Sequence, residues 1–404
     1  MLWWRHAMWI LRKLNYTLLK YKFLYIFFIS QILYSQQFRN VTDVSDLIGV
    51  VGSNGVAVAD YDQDGDLDIF IVSAQSEEGE ENWSRLLQNT NNGNFIDVTE
   101  NSGINQNLDH DINLLNYNED GSFSFDTIEH GDRLAASWGD FNNDGYPDLF
   151  LGNAVQSELY KNNGNGTFSN ITDSAGFETY CEKCYITGVL WLDYDLDGHL
   201  DIFLSDYNQI SDSKLYKNLG DETFEQIDLS NLTENSNSFS ALPIYANDDM
   251  YPDIYIANDF DQFNQLLINQ DGEGFIDMAV DYGVEDPFDG MGLTTCDFNN
   301  DLSLDFFVTN IKENSLYTKD NSDSSFAYTN YSEEANIYDT DWAWGVTFSD
   351  FNHDGFEDFY VANGFFNPEA DRFFINDSGN NFTYADFSGN PPIISKSRSV
   401  TSFD

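Results

Sequence analysis

Asp60-Tyr61-Asp62-Gln63-Asp64-Gly65-Asp66-Leu67-Asp68 lies between two apolar runs, GVAVA at 55–59 and LDIFIV at 67–72. Oxygen-bearing side chains stand at positions 1, 3, 5 and 9 of this nonapeptide, and position 6 is a glycine, which tolerates a left-handed turn. Such a loop suits a hard cation that takes six or more oxygen ligands. The stretch therefore predicts a Ca²⁺ loop that joins two β-strands.

The nonapeptide recurs along the chain. Three more copies keep every feature and begin at Asp140, Asp193 and Asp350. A fifth copy begins at Asp297 and keeps the ligand positions, but Leu302 replaces the glycine. The remaining copy, at 245–253, is the fourth loop in chain order. It has also lost the first carboxylate, so we expect it to bind Ca²⁺ weakly or not at all. About five Ca²⁺ sites are therefore predicted.

By analogy with the first half of an EF-hand loop, positions 1, 3, 5 and 9 are expected to offer side-chain oxygens and position 7 a backbone carbonyl. The predicted metal ligands are Asp60, Asp62, Asp64, Asp66, Asp68, Asp140, Asn142, Asp144, Tyr146, Asp148, Asp193, Asp195, Asp197, His199, Asp201, Asp297, Asn299, Asp301, Ser303, Asp305, Asp350, Asn352, Asp354, Phe356 and Asp358. Without a cation the clustered carboxylates would repel one another.

The spacing of the loops predicts the fold. Their first positions are separated by 80, 53, 52, 52 and 53 residues, and another period ends at Asp404. Each period reads as an apolar strand, the acidic loop, a second strand, a third strand, a glycine-rich turn and a fourth strand. Four antiparallel strands per unit indicate an all-β propeller, because separate sandwich domains would need about 100 residues each. We expect six complete blades and a seventh that has begun, as in a truncated chain, with FRNVT at 38–42 closing the ring.

Charge and the first residues indicate the compartment. The formal net charge of −52 makes nucleic acid and anionic lipid poor partners. Residues 1–35 contain five cations, no acid and an apolar run at 23–34, which is typical of a secretory signal peptide. The prediction is a secreted or cell-surface protein, without membrane insertion once the signal is removed. The alternative is an uncleaved anchor. The mature domain would be a propeller at 36–404 with an insertion in the first blade at about 104–132.

Cysteine and histidine offer few catalytic candidates. Cys181 and Cys184 are expected to form a local disulfide, with a redox-active pair as the alternative, and Cys296 is expected to be a core residue. Two of the five histidines, His110 and His130, lie in the long insertion. They could form a second metal site or an acid/base pair, but a solvated acidic insertion explains them as well.

The repeated motifs resemble a known family. Tandem DxDxDGxxD-type loops between GVA-like and LDIF-like strands, followed by LYKN and FxxVT, resemble the FG-GAP/VCBS repeats of integrin-α-like propellers. The combination is most similar to secreted proteins of the cartilage acidic protein type, which usually end in an ASPIC/UnbV module. The fourth loop departs from that pattern, and no such module follows in this sequence. The resemblance implies a seven-bladed propeller with Ca²⁺ at the hairpins, used for adhesion or recognition.

We therefore predict a non-catalytic module that binds an extracellular protein or glycan ligand. The connections after strands two and four share one face, opposite the acidic loops, and they are rich in aromatic and amide side chains, including Phe365 and Phe366. These side chains could receive a ligand, or they could pack the insertions against the blades. The alternative function is a Ca²⁺-dependent polysaccharide lyase or hydrolase on the same scaffold.

Overall fold

The computed structural model describes residues 54–402, apart from gaps at 75–82, 91–92, 105–111, 118–122, 129–132, 155, 178–180, 182–183, 208–210, 234–235, 248, 261, 320–325, 365–368, 386–393 and 396–398. In this part of the chain, six four-stranded antiparallel sheets follow one another as the blades of a β-propeller. The predicted all-β fold and its six blades are confirmed. Residues 38–42 and Asp404, on which the predicted ring closure and seventh blade depend, lie outside the described residues.

The strands run in chain order from the inside to the outside of each blade. Blade one contains Gly55–Ala59, Asp68–Ala74, Trp83–Asn89 and Phe95–Asp97. Blade two contains Arg133–Gly139, Asp148–Asn153, Glu158–Asn162 and Phe168–Asn170. Blade three contains Ile186–Leu192, Asp201–Asp206, Lys214–Asn218 and Phe224–Ile227. Blade four contains Ser238–Ile244, Asp253–Asn258, Gln265–Asn269 and Phe275–Asp277. Blade five contains Leu293–Cys296, Asp305–Val308, Ser315–Lys319 and Tyr328–Asn330. Blade six contains Asp339–Ser349, Asp358–Asn363, Arg372–Asn376 and Phe382–Tyr384.

A few elements lie outside this repeat. The predicted insertion in blade one contains a two-stranded hairpin, Ile112–Tyr117 and Phe123–Ile128. Ile311–Glu313 follows the second strand of blade five and pairs with the start of the long first strand of blade six. This short strand therefore adds a fifth strand to the sheet of blade six. Glu369–Ala370 pairs with Ile394–Ser395. Three single helical turns, Thr99–Ser102, Ser230–Thr233 and Ala279–Tyr282, each follow a fourth strand. They are too short to produce helical periodicity, so the sequence did not predict them.

First and second strands differ in burial. The second strand of blades two, three and four is buried along its whole length. The continuous apolar runs of the first strands suit burial on both faces, but those of blades one, two and three are largely half-buried. The reason is their position at the propeller axis, where each of these strands is the edge strand of its sheet and its inner edge has no hydrogen-bonded neighbour. Register shifts near the start of four first strands mark bulges that bend them.

The core is divided into five apolar clusters in the described part of the chain, and each lies between two successive blades. Between blades three and four, for example, Phe203 and Leu215 pack against Ile254, Ile256 and Leu267. Burial of one such side chain contributes about 1.5–3 kcal/mol. A single blade could not bury these faces alone, so neighbouring blades stabilise one another.

The predictions for the cysteines are confirmed. Cys181 and Cys184 form a disulfide, and Cys184 belongs to the apolar cluster between blades two and three. The Cys296 thiol is free and buried between blades five and six. Among the described residues, none of the helices has the length and apolar character needed to cross a bilayer.

Candidate metal centre

The acidic loops share one pattern of backbone hydrogen bonds. In the first loop, Asp60 accepts the N–H groups of Asp64 and Gly65 at 3.0 Å each. Asp62 Oδ1 accepts the N–H of Asp64 at 3.3 Å, and Asp64 Oδ1 accepts the N–H of Asp66 at 3.0 Å. The same pattern recurs in the loops that begin at Asp140, Asp193, Asp297 and Asp350. Side-chain oxygens at positions 1, 3 and 5 are therefore oriented by the backbone itself.

Two residues have a left-handed backbone in each of the five loops that begin with aspartate. The glycine at position 6 has φ between 90° and 94° in the four loops that contain it, as the sequence predicted. Leu302 takes this place in the fifth loop with φ of 67° and is 92% exposed, so the turn forms without glycine. Position 4 also has a positive φ, between 56° and 59°, which the sequence analysis missed. Asn143 and Asn300 could have indicated the positive φ at position 4, because asparagine tolerates this conformation.

The fourth loop keeps only part of the pattern. Asn247 and Asp249 still accept backbone N–H groups two residues further along. Position 1 is Tyr245, which is 55% exposed and offers no carboxylate, and position 6 is Met250, which is 75% exposed. The expectation that this loop binds Ca²⁺ weakly or not at all stays a prediction, and the loss of the first carboxylate supports it.

Several carboxylate oxygens lie close enough together to coordinate one hard cation. One carboxylate oxygen each from Asp60, Asp62 and Asp68 lies within 4.8 Å of the other two, and the same holds for Asp193, Asp195 and Asp197. In the sixth loop, Asp358 is fully buried, and its Oδ2 has no hydrogen-bond donor. A buried anionic oxygen without a donor is costly unless a cation is near. The loops that begin at Asp60, Asp193 and Asp350 therefore fit a bound Ca²⁺, and those that begin at Asp140 and Asp297 share their hydrogen-bond pattern.

Position 9 is buried in all six loops. The carboxylate of Asp148 accepts the N–H of Asn162 at 2.7 Å and the N–H of Phe141 at 3.3 Å, and so joins the loop to the third strand. Burial raises the pKa of Asp68, Asp148 and Asp201 to about 7. Burial also raises the pKa of Asp305 to about 8. Neighbouring carboxylates of the same loop raise these pKa values further.

The raised pKa values predict an unusual pH dependence for the metal-stripped protein. Between pH about 4 and about 7 the folded state retains protons that the unfolded chain has released, so the free energy of unfolding falls as the pH rises. We expect protein stripped of metal by dialysis to melt at a lower temperature at pH 7.5 than at pH 5. With excess Ca²⁺ the order should reverse, because the ligands bind as carboxylates. A melting temperature that rises with pH in the stripped protein would contradict this assignment of the pKa shifts.

A hydrogen bond from the last residue of the third strand, here called a blade joint, connects each of blades two to six to the blade before it, and in four of them this residue is asparagine. Asn218 Nδ2 donates to the carbonyl of Phe141 in the second loop at 2.8 Å and to Leu200 at 3.1 Å in its own blade. Its Oδ1 accepts the N–H of Gly220 at 2.9 Å. The equivalent inter-blade bonds are Asn162 to Tyr61, Asn269 to Tyr194 and Asn376 to Phe298. In blade five Lys319 takes the place of the asparagine, and its Nζ donates to the carbonyl of Ala246 at 2.9 Å.

These five blade joints were missed by the sequence analysis. Their signal was the asparagine that ends the repeated LYKN motif.

The loops also contact one another directly. Asn143 Nδ2 donates to the carbonyl of Gly198 at 3.0 Å, and Asn300 Nδ2 donates to Gly355 at 2.7 Å. Position 4 of one loop therefore binds position 6 of the next, which holds neighbouring loops in register.

The third loop has a cation of its own. Lys217 Nζ forms an ion pair with Asp195 Oδ2 and lies 3.3 Å from Asp197 Oδ2. In the first loop, the residue at the same place in the third strand is Gln88, whose Nε2 donates to Asp62 Oδ2 at 2.5 Å. The first and third loops have the same number of carboxylates, but a lysine neutralises part of this charge in the third loop only.

The two histidines that the structure describes lie in acidic loops. His199 Nδ1 lies 3.5 Å from Asn143 Nδ2 at the second and third loops, and His353 has a positive φ at position 4 of the sixth loop. His110 and His130 lie outside the described residues, and so do Phe365 and Phe366. Their predicted roles stay predictions.

A cavity of about 470 Å³ opens between blades three and four. Its lining comes from the connection after the second strand of blade four and from the helical turns that follow two fourth strands, on the side opposite the acidic loops. Phe263 is 55% exposed there and Val280 is 70% exposed. Asn258, Asn264 and Gln265 provide amides, and no described lysine, arginine or histidine lines the cavity.

Three solved structures are similar to this chain, and the first of them supports the fold. A protein from Lactobacillus plantarum has a TM-score of 0.51 at 8% identity and covers 87% of this chain and 89% of its own. A lectin from Agrocybe aegerita, described as recognising non-reducing terminal N-acetylglucosamine, has a TM-score of 0.48 at 15% identity, with 85% of this chain and 83% of the lectin covered. An ancestral GH74 enzyme has a TM-score of 0.45 at 13% identity, with 83% of this chain and 38% of the enzyme covered. No curated protein matches the sequence.

The sequence also matches one family model. The model described as FG-GAP-like repeat matches residues 140–204, 193–256 and 297–361, and each match runs from one acidic loop through the second strand of the next blade. The second to sixth loops therefore all lie inside matched segments. Together with the six four-stranded blades, these three matches show that the chain is an FG-GAP-repeat β-propeller protein.

Proposed function

We propose that this protein is an extracellular, Ca²⁺-loaded propeller that binds a protein or glycan ligand without turning it over. The observation that carries the proposal is the fivefold repetition of one loop geometry, in which backbone N–H groups orient several carboxylates toward one another. Bound Ca²⁺ would neutralise these carboxylates and join the first and second strands of a blade. In this proposal the metal supports the structure, and ligand recognition belongs to another surface.

An extracellular location is supported by two features of the chain. The Cys181–Cys184 disulfide suits an oxidising compartment. Loops with few protein ligands bind Ca²⁺ with modest affinity, and the millimolar Ca²⁺ concentrations outside cells are sufficient to fill them. The predicted signal peptide at 1–35 lies outside the described residues. Secretion can be tested by expressing the full chain and sequencing the N-terminus of the exported protein.

The cavity between blades three and four is the proposed ligand surface. An exposed ring at Phe263 can pack against the C–H face of a sugar or against an apolar side chain. The exposed carboxylates of Asp281 and Glu285 can accept hydrogen bonds from hydroxyl or amino groups. Because no described cation lines the cavity, the expected ligand is neutral or basic.

Replacing Phe263 with alanine tests this surface. We expect affinity for a ligand found on an array of neutral glycans, or for a captured basic peptide, to fall by about tenfold, because exposed aromatic contacts contribute about 1–2 kcal/mol in binding sites. Ile276→Ala is the matched control, since Ile276 is 50% exposed in the outer strand of the same blade but does not line the cavity. Equal affinity of Phe263→Ala and wild type would remove this cavity from consideration.

Turnover assays test the non-catalytic part of the proposal. The full chain with Ca²⁺ would be incubated with a panel of neutral and acidic polysaccharides, and new reducing ends or unsaturated products would be measured. We expect none to form. Degradation that is lost on substitution of His110 or His130 would replace the binding module with the lyase or hydrolase alternative.

A further inference from the structure

The third loop contains a positive charge at the place where the other loops have none. Lys217 forms an ion pair with Asp195 of position 3 and lies 3.3 Å from Asp197 Oδ2 of position 5. The contact is partly shielded, since the side chain of Asp195 is 13% exposed and that of Lys217 is 29% exposed. The ammonium therefore lies among the same carboxylates that a divalent ion would use.

The equivalent residue in the other five blades does not act in this way. It directly precedes the joint residue at the end of the third strand. In chain order the six residues are Gln88, Lys161, Lys217, Ile268, Thr318 and Ile375. Gln88 is neutral, and Lys161 pairs with Glu222 of blade three instead of with its own loop. Among the described loops, only the third has a lysine in ion-pair contact with its own carboxylates.

By the number of carboxylates alone, the third loop would be expected to bind Ca²⁺ as tightly as the first. Both contain aspartate at positions 1, 3, 5 and 9, whereas asparagine stands at position 3 in the second, fifth and sixth loops. Affinity for Ca²⁺ generally rises with the number of carboxylates. An ammonium inside the third loop reverses that ranking, because a divalent ion must first break the ion pair and then tolerate or expel the like charge.

We propose that Lys217 is a built-in cation that replaces the divalent ion in the third loop and sets its Ca²⁺ affinity below that of the first, second, fifth and sixth loops. This inference rests on the proposed Ca²⁺ function. It gives the propeller two classes of loop. Four loops depend on Ca²⁺ for neutralisation, and the third is neutralised by its own chain when Ca²⁺ is low.

Calorimetric titration of the full chain with Ca²⁺ tests the inference. For wild type we expect about four tight sites and one that is weaker by about tenfold or more. Lys217→Gln places in the third loop the residue that the first loop has naturally, and it should add one site to the tight class. Lys161→Gln is the matched control, because it removes the equivalent lysine of blade two, and it should leave the titration unchanged.

Thermal melts provide a second readout that does not depend on Ca²⁺ binding. In the metal-stripped state Lys217→Gln should melt at a lower temperature than wild type, and its rise on addition of Ca²⁺ should be larger. If Lys217→Gln does not fold, the converse variant Gln88→Lys takes its place. It should remove one site from the tight class.

The possible outcomes separate this inference from the function on which it rests. If wild type takes up no Ca²⁺ at millimolar concentration, the proposed function fails. If wild type shows five equivalent sites and Lys217→Gln gives the same isotherm, Ca²⁺ binding is retained and the role of Lys217 is overturned. A tight class that grows by one in Lys217→Gln, and not in Lys161→Gln, supports the inference.

Discussion

Removal of divalent ions is expected to lower the melting temperature of the protein by on the order of 20 °C. One site saturated a hundredfold above its dissociation constant stabilises the folded state by about 2.7 kcal/mol. In a domain of more than 250 residues, each kcal/mol shifts the melting temperature by about 2 °C. Four or five filled loops, with the charge repulsion that returns when they empty, therefore give a large shift. Differential scanning calorimetry in Ca²⁺ and after chelation measures it.

Single-site variants show whether the shift comes from the loops. Asp350→Asn removes a charge at position 1 of the sixth loop, where Asp350 also accepts two backbone N–H groups. It should reduce the Ca²⁺-dependent shift by about a fifth, because one of five loops is affected. Glu225→Gln is the control, since Glu225 is exposed in an outer strand. A melt that chelation leaves unchanged would contradict the metal assignment for every loop.

Truncation of a blade joint should have the next largest effect. Asn218→Ala leaves the carbonyls of Phe141 and Leu200 without their donor and the N–H of Gly220 without its acceptor, in a fully buried position. Each buried polar group left unpaired costs about 1–3 kcal/mol. We expect a loss of about 3–5 kcal/mol in the free energy of unfolding, measured by urea denaturation in excess Ca²⁺ so that the loops stay filled.

The control for this variant is an exposed asparagine in the corresponding turn of blade two. Asn163 Nδ2 donates to Thr167 Oγ1 at 3.0 Å and its Oδ1 accepts the Ser169 hydroxyl at 3.1 Å, and the side chain is exposed. Asn163→Ala should cost less than about 1 kcal/mol. If the two variants shift the urea midpoint equally, the inter-blade bond of Asn218 does not stabilise the ring.

Much of the fold could be read from the sequence because its signals are local and repeated. The acidic nonapeptide fixes the turn between the first and second strands, and Gly65 and its equivalents show the positive φ that their position predicted. The period of about 53 residues then sets the size of one blade.

Other features could not be read because they depend on contacts between repeats. Nothing near Asn218 in the sequence indicates that its amide reaches Phe141, 77 residues earlier. The same holds for Lys217, whose pairing with its own loop differs from that of Lys161 only in the structure. The half-buried first strands are a related case, because their composition does not show that they are the edge strands at the propeller axis.

The joint between blades also has a consequence for how such a chain can lengthen. Each structural repeat contains both halves of the joint, a carbonyl at position 2 of its loop and an amide at the end of its third strand. A tandem copy of one repeat would thus bring a matching donor and acceptor at both of its borders. Gene duplication can add a blade without inventing a new interface, and Lys319 shows that the donor can later be exchanged while the bond is kept.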